Sequence, residues 1–123
     1  MTQENKDLLL RDLCARLPYG VKIQVPYEDG SGYFDETVWE VNNEGPFHVN
    51  GWGIEYEYVK PYLFPLSSMT EEQEKEYNDL NCYELGCFPH TEDALDYLIK
   101  NHFDFRCLIE KGLAIDATGL NIY

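Results

Sequence analysis

The chain has 123 residues, of which 44% are hydrophobic and 15% aromatic, and its nine Lys and Arg residues face 23 Asp and Glu residues. This apolar content is too high for a disordered acidic tail, so we expect one folded domain over residues 1–123. Because binding to phosphates requires basic side chains, the net charge of −14 argues against direct binding to nucleic acid or to an anionic membrane surface. The apolar runs are too short to span a bilayer and the first residues lack the pattern of a signal peptide, so a cytoplasmic location is predicted.

The first predicted element is a helix that ends at Pro18. Its leucines recur at helical spacing together with Cys14, and Thr2 is suited to cap the first turn. Because the sequence shows no export signal, its four cysteines are interpreted as reduced thiols rather than disulfides. Cys14 and Cys107 are predicted to pack in the core as small hydrophobic side chains.

Residues 21–59 are predicted to form a meander of three to five strands. Apolar and polar side chains alternate over 21–25, which is typical of a half-buried strand. The sequence DGSG at 29–32 favours a hairpin turn, because glycine readily adopts positive φ. Residues 60–65 are predicted to be extended, since a residue that precedes proline avoids the helical region.

Two further helices are predicted in the second half of the chain. One begins near Thr70, where Ser68 with Glu71 and Thr70 with Gln73 both match a capping box, and the other begins at Thr91. A last turn or short helix near 105–111 is predicted to end at Gly112, and a short strand could follow at 113–115. Together these elements predict an α+β domain, with about three helices packed on a small antiparallel sheet or on a partly open SH3-like barrel.

The best match to a metal site is formed by Cys82, Cys87 and His90, which have the spacing C-x4-C-x2-H. Structural zinc needs four ligands in a tetrahedron and commonly uses paired C-x2-C motifs, which this sequence lacks. The acidic window 29–40 resembles a calcium loop, but Phe34 occupies the position that requires glycine. We therefore reject both sites and predict no cofactor.

No local motif joins a cysteine or serine nucleophile to a base, and the glycine pairs at 30–32 and 51–53 lack the Lys-Ser/Thr of a phosphate-binding loop. The sequence therefore predicts that the protein is not an enzyme. A small enzyme or metal-binding protein remains the least favoured alternative.

A surface for protein binding is suggested by aromatic residues that lie among carboxylates. Tyrosine and tryptophan are enriched where one end of a side chain is buried and the other is wet, as at protein interfaces. The residues of this predicted interaction surface are Trp52, Tyr56, Tyr58 and Tyr62. The alternative is that these rings complete the core.

The carboxylates themselves suggest a second type of binding. Residues 21–69 carry a net charge of −6 and residues 70–123 carry −8. Such a surface could mimic the phosphate array of DNA and occupy a nucleic-acid enzyme. The alternative is a solvated face that keeps the protein soluble.

Three segments resemble a family of short uncharacterised proteins found in gut bacteria and in their phages and prophages. These segments are LLLRDLCARLPYGVK at 8–22, VKPYLFPLSSMTEEQ at 59–73 and NHFDFRCLIEKGLAIDA at 101–117. Phe105 departs from the family pattern, which has tyrosine there. Arg106 is expected to pair with a nearby carboxylate such as Asp104 or with a helix C-terminus. The resemblance implies phage association but no activity. We therefore expect an accessory protein that binds an unidentified protein partner, with a DNA-mimicking inhibitor as the alternative.

Overall fold

The computed structural model describes residues 2–27, 29–38, 40–41, 46–47, 59–81 and 91–123. The helices are α1 (Gln3–Arg16), α2 (Glu71–Asn81) and α3 (Glu92–Lys100). The strands are β1 (Lys22–Pro26), β2 (Tyr33–Thr37), β3 (Glu40–Val41), β4 (Pro46–Phe47), β5 (Lys60–Pro65), β6 (Phe103–Asp104) and β7 (Ile115–Asp116). The predicted α+β class is confirmed.

Strand β5 is the member of the main sheet with the most partners. The sheet runs in the order β2-β1-β5-β6, and β7 also pairs with β5. Strand β1 is antiparallel to β2 and to β5, whereas β6 and β7 are both parallel to β5. Because α2 and α3 lie between β5 and β6, the chain crosses over and returns in the same direction. The sheet is therefore mixed rather than antiparallel, and its described strands do not close into a barrel.

The turn between β1 and β2 is the hairpin that the glycine-rich segment predicts. Gly30 has a φ of +74°, and the backbone N–H of Tyr27 donates to the carbonyl oxygen of Gly32 at 2.9 Å. The Asp29 carboxylate accepts from the backbone N–H of Ser31 at 2.9 Å. Hydrogen bonds from the side chain and from the backbone of Ser31 lower the pKa of Asp29. This short-range bonding explains why the turn could be predicted from local sequence.

The predicted caps of α1 and α2 are confirmed. The Thr2 hydroxyl accepts from the backbone N–H of Asn5 at 3.1 Å at the start of α1. At the start of α2, the backbone N–H of Thr70 donates to Gln73 Oε1 at 2.9 Å, and the N–H of Gln73 donates back to Thr70 Oγ1 at 3.2 Å. Each reciprocal bond satisfies a backbone donor that the helix itself cannot pair.

The cap of α3 also joins two helices. Thr91 Oγ1 accepts from the backbone N–H of Ala94 at 3.0 Å and donates to the carbonyl oxygen of Leu80 in α2 at 2.8 Å. We expect Thr91→Ala to lower the free energy of unfolding by about 1–2 kcal/mol, because it removes both bonds. Urea unfolding followed by circular dichroism measures the loss. Thr91→Ser keeps the hydroxyl and should stay within about 0.5 kcal/mol of the parent, and a similar loss in both variants would refute this role of the hydroxyl.

The buried side of α1 differs from the predicted one. It is formed by Leu9, Asp12, Leu13 and Arg16, so a carboxylate and a guanidinium share the apolar stripe with two leucines. Cys14 lies outside this stripe and is exposed, and so is Cys107. The prediction that both thiols pack in the core was wrong. For Cys14 the reason is that an apolar pattern alone does not show which side of a helix faces the sheet.

Of the last turn or short helix predicted near 105–111, the structure has turns rather than a helix. Those residues form bends and turns, and Cys107 has a φ of 59°, which an α-helix does not accommodate. The carboxylate of Asp104 accepts from the backbone N–H groups of Leu108 and Ile109, each at 3.0 Å. Gly112 ends the turns at a φ of +73°, as its predicted role requires.

The buried side chains form two hydrophobic clusters. The larger one unites α1 with β1 and β5, and the smaller one joins α2, α3 and β6 through Tyr77, Ala94, Leu98 and Phe103. None of the helices within the described ranges has the length and apolar character needed to cross a membrane.

Candidate functional site

A buried ion network connects α1 with the end of α3. Asp12 and Arg16 are both 0% exposed, and Arg16 Nε donates to Asp12 Oδ2 at 2.9 Å. The remaining guanidinium nitrogens of Arg16 donate to the carbonyl oxygens of Leu98, Ile99 and Phe103. Because carbonyls at a helix C-terminus lack partners within the helix, Arg16 satisfies the end of α3 from a different element.

Arg106 completes this network from the turn after β6. Its Nη1 donates to Asp12 Oδ1 at 2.6 Å, and its guanidinium lies 4.4 Å from the ring centre of Phe105. Arg106 therefore pairs with a carboxylate, as expected, but with Asp12 rather than with Asp104, which accepts from backbone N–H groups. Asp12 is fully buried and Arg106 is only 17% exposed, so this bond is shielded from solvent.

His102 lies beside this network in an uncommon backbone conformation. Its φ is 61°, its side chain is 6% exposed, and its ring stacks on Tyr123 with centres 4.0 Å apart and planes 12° apart. Burial and the charge of Arg16 lower the pKa of His102 to about 4, while a hydrogen bond with the Tyr19 backbone acts in the opposite direction. The ring is therefore neutral at pH 7, and its buried Nδ1 has no partner among the described residues.

Tyr123 is fixed by bonds to two strands. Its hydroxyl donates to the carbonyl oxygen of Tyr62 at 2.8 Å and accepts from the backbone N–H of Lys22 at 2.8 Å. Burial raises the pKa of Tyr123 to about 12, so its hydroxyl keeps its proton. The ring stacked on His102 is consequently held in place by the sheet.

Next to this stacked pair the described residues line a partly open cavity of about 410 Å³. Four rings contribute to its lining: Phe64, His102, Phe103 and Tyr123. Its volume lies in the range of small-molecule sites, which are usually apolar clefts with a few polar groups. The polar lining residues are Ser68, Gln73, Lys100, Asn101 and Thr118.

A second candidate surface is the acidic helix pair, by which we mean the exposed charged residues of α2 and α3. Its eight carboxylates are Glu71, Glu72, Glu74, Glu76, Asp79, Glu92, Asp93 and Asp96, and only Lys75 and Lys100 oppose them. The two helices are joined by a bond from the Tyr97 hydroxyl to Glu76 at 3.1 Å. Burial and that carboxylate raise the pKa of Tyr97 to about 12.

The predicted aromatic surface is only partly covered by the described residues. Trp52, Tyr56 and Tyr58 lie outside them. Tyr62 lies within β5 and is 4% exposed, with its hydroxyl donating to Asp35 and accepting from Gln24. Burial and Asp35 raise its pKa to about 12. Tyr62 belongs to the sheet interior and does not offer a contact surface, because β5 lies between other strands.

The rejected metal residues Cys82, Cys87 and His90 also lie outside the described residues. Within the described ranges, no three His, Cys, Asp or Glu side chains are grouped closely enough to hold a metal ion.

Sequence reasoning missed both the ion network and the His102–Tyr123 pair. The only local signal was the spacing of Asp12 and Arg16, which lie four residues apart within a leucine stripe. Such a pair is ordinarily exposed on a helix.

Comparison of the chain with protein-family models, with curated proteins and with solved structures gives no match. The function therefore has to be inferred from the residues of the chain itself.

Proposed function

We propose that the chain is a phage- or prophage-associated accessory protein that acts by binding another protein through the acidic helix pair. The observation that carries this proposal is the set of eight exposed carboxylates opposed by two lysines on α2 and α3. Leu80 is 37% exposed at the end of α2 and adds an apolar side chain to the same surface. A charged surface with an apolar contact favours a partner of complementary positive charge.

The proposal is tested by affinity capture of the tagged full chain from a lysate of its bacterial host. The capture is carried out at low salt and at about 1 M salt, where charges are screened beyond about 3 Å. We expect one specific partner at low salt and its loss at high salt. Recovery of the chain alone under both conditions would refute the proposal for that host state.

A matched pair of variants assigns the binding to the acidic helix pair. The triple variant Glu72→Gln, Asp93→Asn, Asp96→Asn removes three charges from α2 and α3. The control Glu4→Gln, Asp7→Asn, Glu110→Gln removes three exposed charges elsewhere. We expect the first variant to lose the partner at least about tenfold and the control to keep it, since each rim charge contributes up to about 1 kcal/mol. Equal retention by both variants would exclude the acidic helix pair as the binding surface.

A DNA-mimicking inhibitor is the second candidate function, and the spacing of the carboxylates favours it. Glu72 and Glu76 on α2, like Glu92 and Asp96 on α3, lie four residues apart and so form rows along each helix. In that case the captured partner is a nucleic-acid enzyme, and double-stranded DNA competes with the chain for it. If DNA does not displace the partner, the chain binds a protein but does not mimic DNA.

A further inference from the structure

The cavity beside His102 differs in charge from the rest of the molecule. Among the described residues that line the cavity there is no Asp or Glu, whereas Lys100 is one of them. Lys100 forms no ion pair within the described part of the chain. Within the described part of a chain that has a net charge of −14, Lys100 is thus the only Lys, Arg, Asp or Glu side chain that lines the cavity.

One part of the cavity lining is aromatic. The rings of His102 and Tyr123 are nearly parallel, with 12° between their planes. The ring centre of Phe64 lies 5.9 Å from that of Tyr123 and 6.2 Å from that of Phe103. Aromatic rings prefer to pack against other flat rings in offset or tilted arrangements. The lining therefore suits a planar ring better than an aliphatic one of the same size.

The polar part of the lining retains hydrogen-bonding capacity. Gln73 uses Oε1 to accept from Thr70, so its amide N–H groups remain available, and Asn101 uses Nδ2 to donate to the carbonyl of Tyr97. His102 keeps a buried Nδ1 without a partner in the described ranges, although buried polar atoms are normally bonded. Together with Lys100, the Gln73 amide supplies donors for an anionic oxygen.

We infer that this cavity is a binding site for a small molecule that has a planar ring and a single carboxylate. The ring packs on the aromatic lining, and the carboxylate is held by Lys100 with the Gln73 amide. The inference goes beyond protein binding by the acidic helix pair and does not depend on it.

The test is a titration of the full-length ¹⁵N-labelled chain with benzoate at pH 7, followed through the backbone amides of Lys100, Asn101, Thr118 and Gly119. A ligand of this size is expected to bind with a Kd of about 1–10 mM. Benzamide has the same ring without the charge, and cyclohexanecarboxylate has the charge without a flat ring. We expect each analogue to bind at least about threefold more weakly than benzoate. Benzamide loses the ion pair, and cyclohexanecarboxylate loses the ring packing.

Two lysine variants locate the carboxylate. Lys100→Gln should weaken benzoate binding by about three- to fivefold, whereas Lys111→Gln, which removes an exposed lysine outside the lining, should leave the Kd unchanged. The amide spectrum of each variant reports whether the fold is retained. The inference is overturned if benzoate causes no saturable shifts at the four amides, if either analogue equals benzoate, or if both lysine variants bind alike.

Discussion

Asp12→Ala is expected to lower the free energy of unfolding by about 3–5 kcal/mol, the largest effect of any single substitution considered for this chain. The carboxylate is fully buried and accepts from both Arg16 and Arg106. Its removal leaves the fully buried guanidinium of Arg16 without a counter-charge. Because small domains are stable by only about 5–15 kcal/mol, this loss is a large fraction of the total stability.

Urea unfolding at 25 °C measures this loss, with Asp7→Ala as the matched control. Asp7 lies on the same helix but is exposed, so its replacement should change the unfolding free energy by less than about 0.5 kcal/mol. Adding Arg16→Met to Asp12→Ala should cost less than the sum of the two single changes, because the unpaired charge is then absent. Strict additivity, or a loss below about 1 kcal/mol for Asp12→Ala, would contradict a coupled network.

The second large effect is a loss of stability in acid caused by His102. Its pKa lies near 4 in the folded protein and near the ordinary 6.5 in the unfolded chain. Between these values the unfolded chain binds a proton that the folded chain does not. The contribution of His102 to the free energy of unfolding is therefore complete above pH 6.5, falls as the pH decreases, and is lost by about pH 4. The decrease amounts to at most about 3 kcal/mol.

His102→Asn isolates this contribution. Asparagine does not titrate and tolerates the positive φ of this position better than most residues. The buried carboxylates Asp12 and Asp104 remain in both proteins, as do Arg16 and Tyr123, so their effects cancel in the comparison. The unfolding free energies of the parent and the variant should converge between pH 6.5 and 4. Parallel pH curves, or a His102 ring that titrates near 6.5 by NMR, would contradict the prediction.

Local sequence signals predicted the elements that local bonds stabilise. Thr91 caps α3, Thr70 and Gln73 form the capping box of α2, and the DGSG segment forms the hairpin. In each case the donor and the acceptor lie within a few residues of each other. Such hydrogen bonds form whatever the arrangement of the distant parts of the chain, so the local sequence is sufficient to predict them.

The candidate site depends on contacts between distant residues, which local patterns do not specify. Arg16 reaches Phe103 across 87 residues, and Arg106 reaches Asp12 across 94. The parallel pairing of β6 with β5 likewise depends on how α2 and α3 return the chain to the sheet. The sequence shows Asp12 and Arg16 only beside their neighbours in α1. In the structure these two residues also bond to residues of other elements.

The sheet order has a consequence for how the chain acquires its structure during translation. Strand β5 pairs with β1 at Lys60 and Pro61, but its remaining positions pair with β6 and β7, and Asp116 is roughly fifty residues beyond Pro65. At about 5–20 residues per second, a ribosome needs about 3–10 s to synthesise that interval. The backbone of 64–65 lacks its sheet partner until β6 is made, and the backbone of 62–63 lacks its partner until β7 is made. An unpaired edge is a template for incorrect pairing. Nascent copies on neighbouring ribosomes are thus most prone to associate in the interval that ends when β7 emerges.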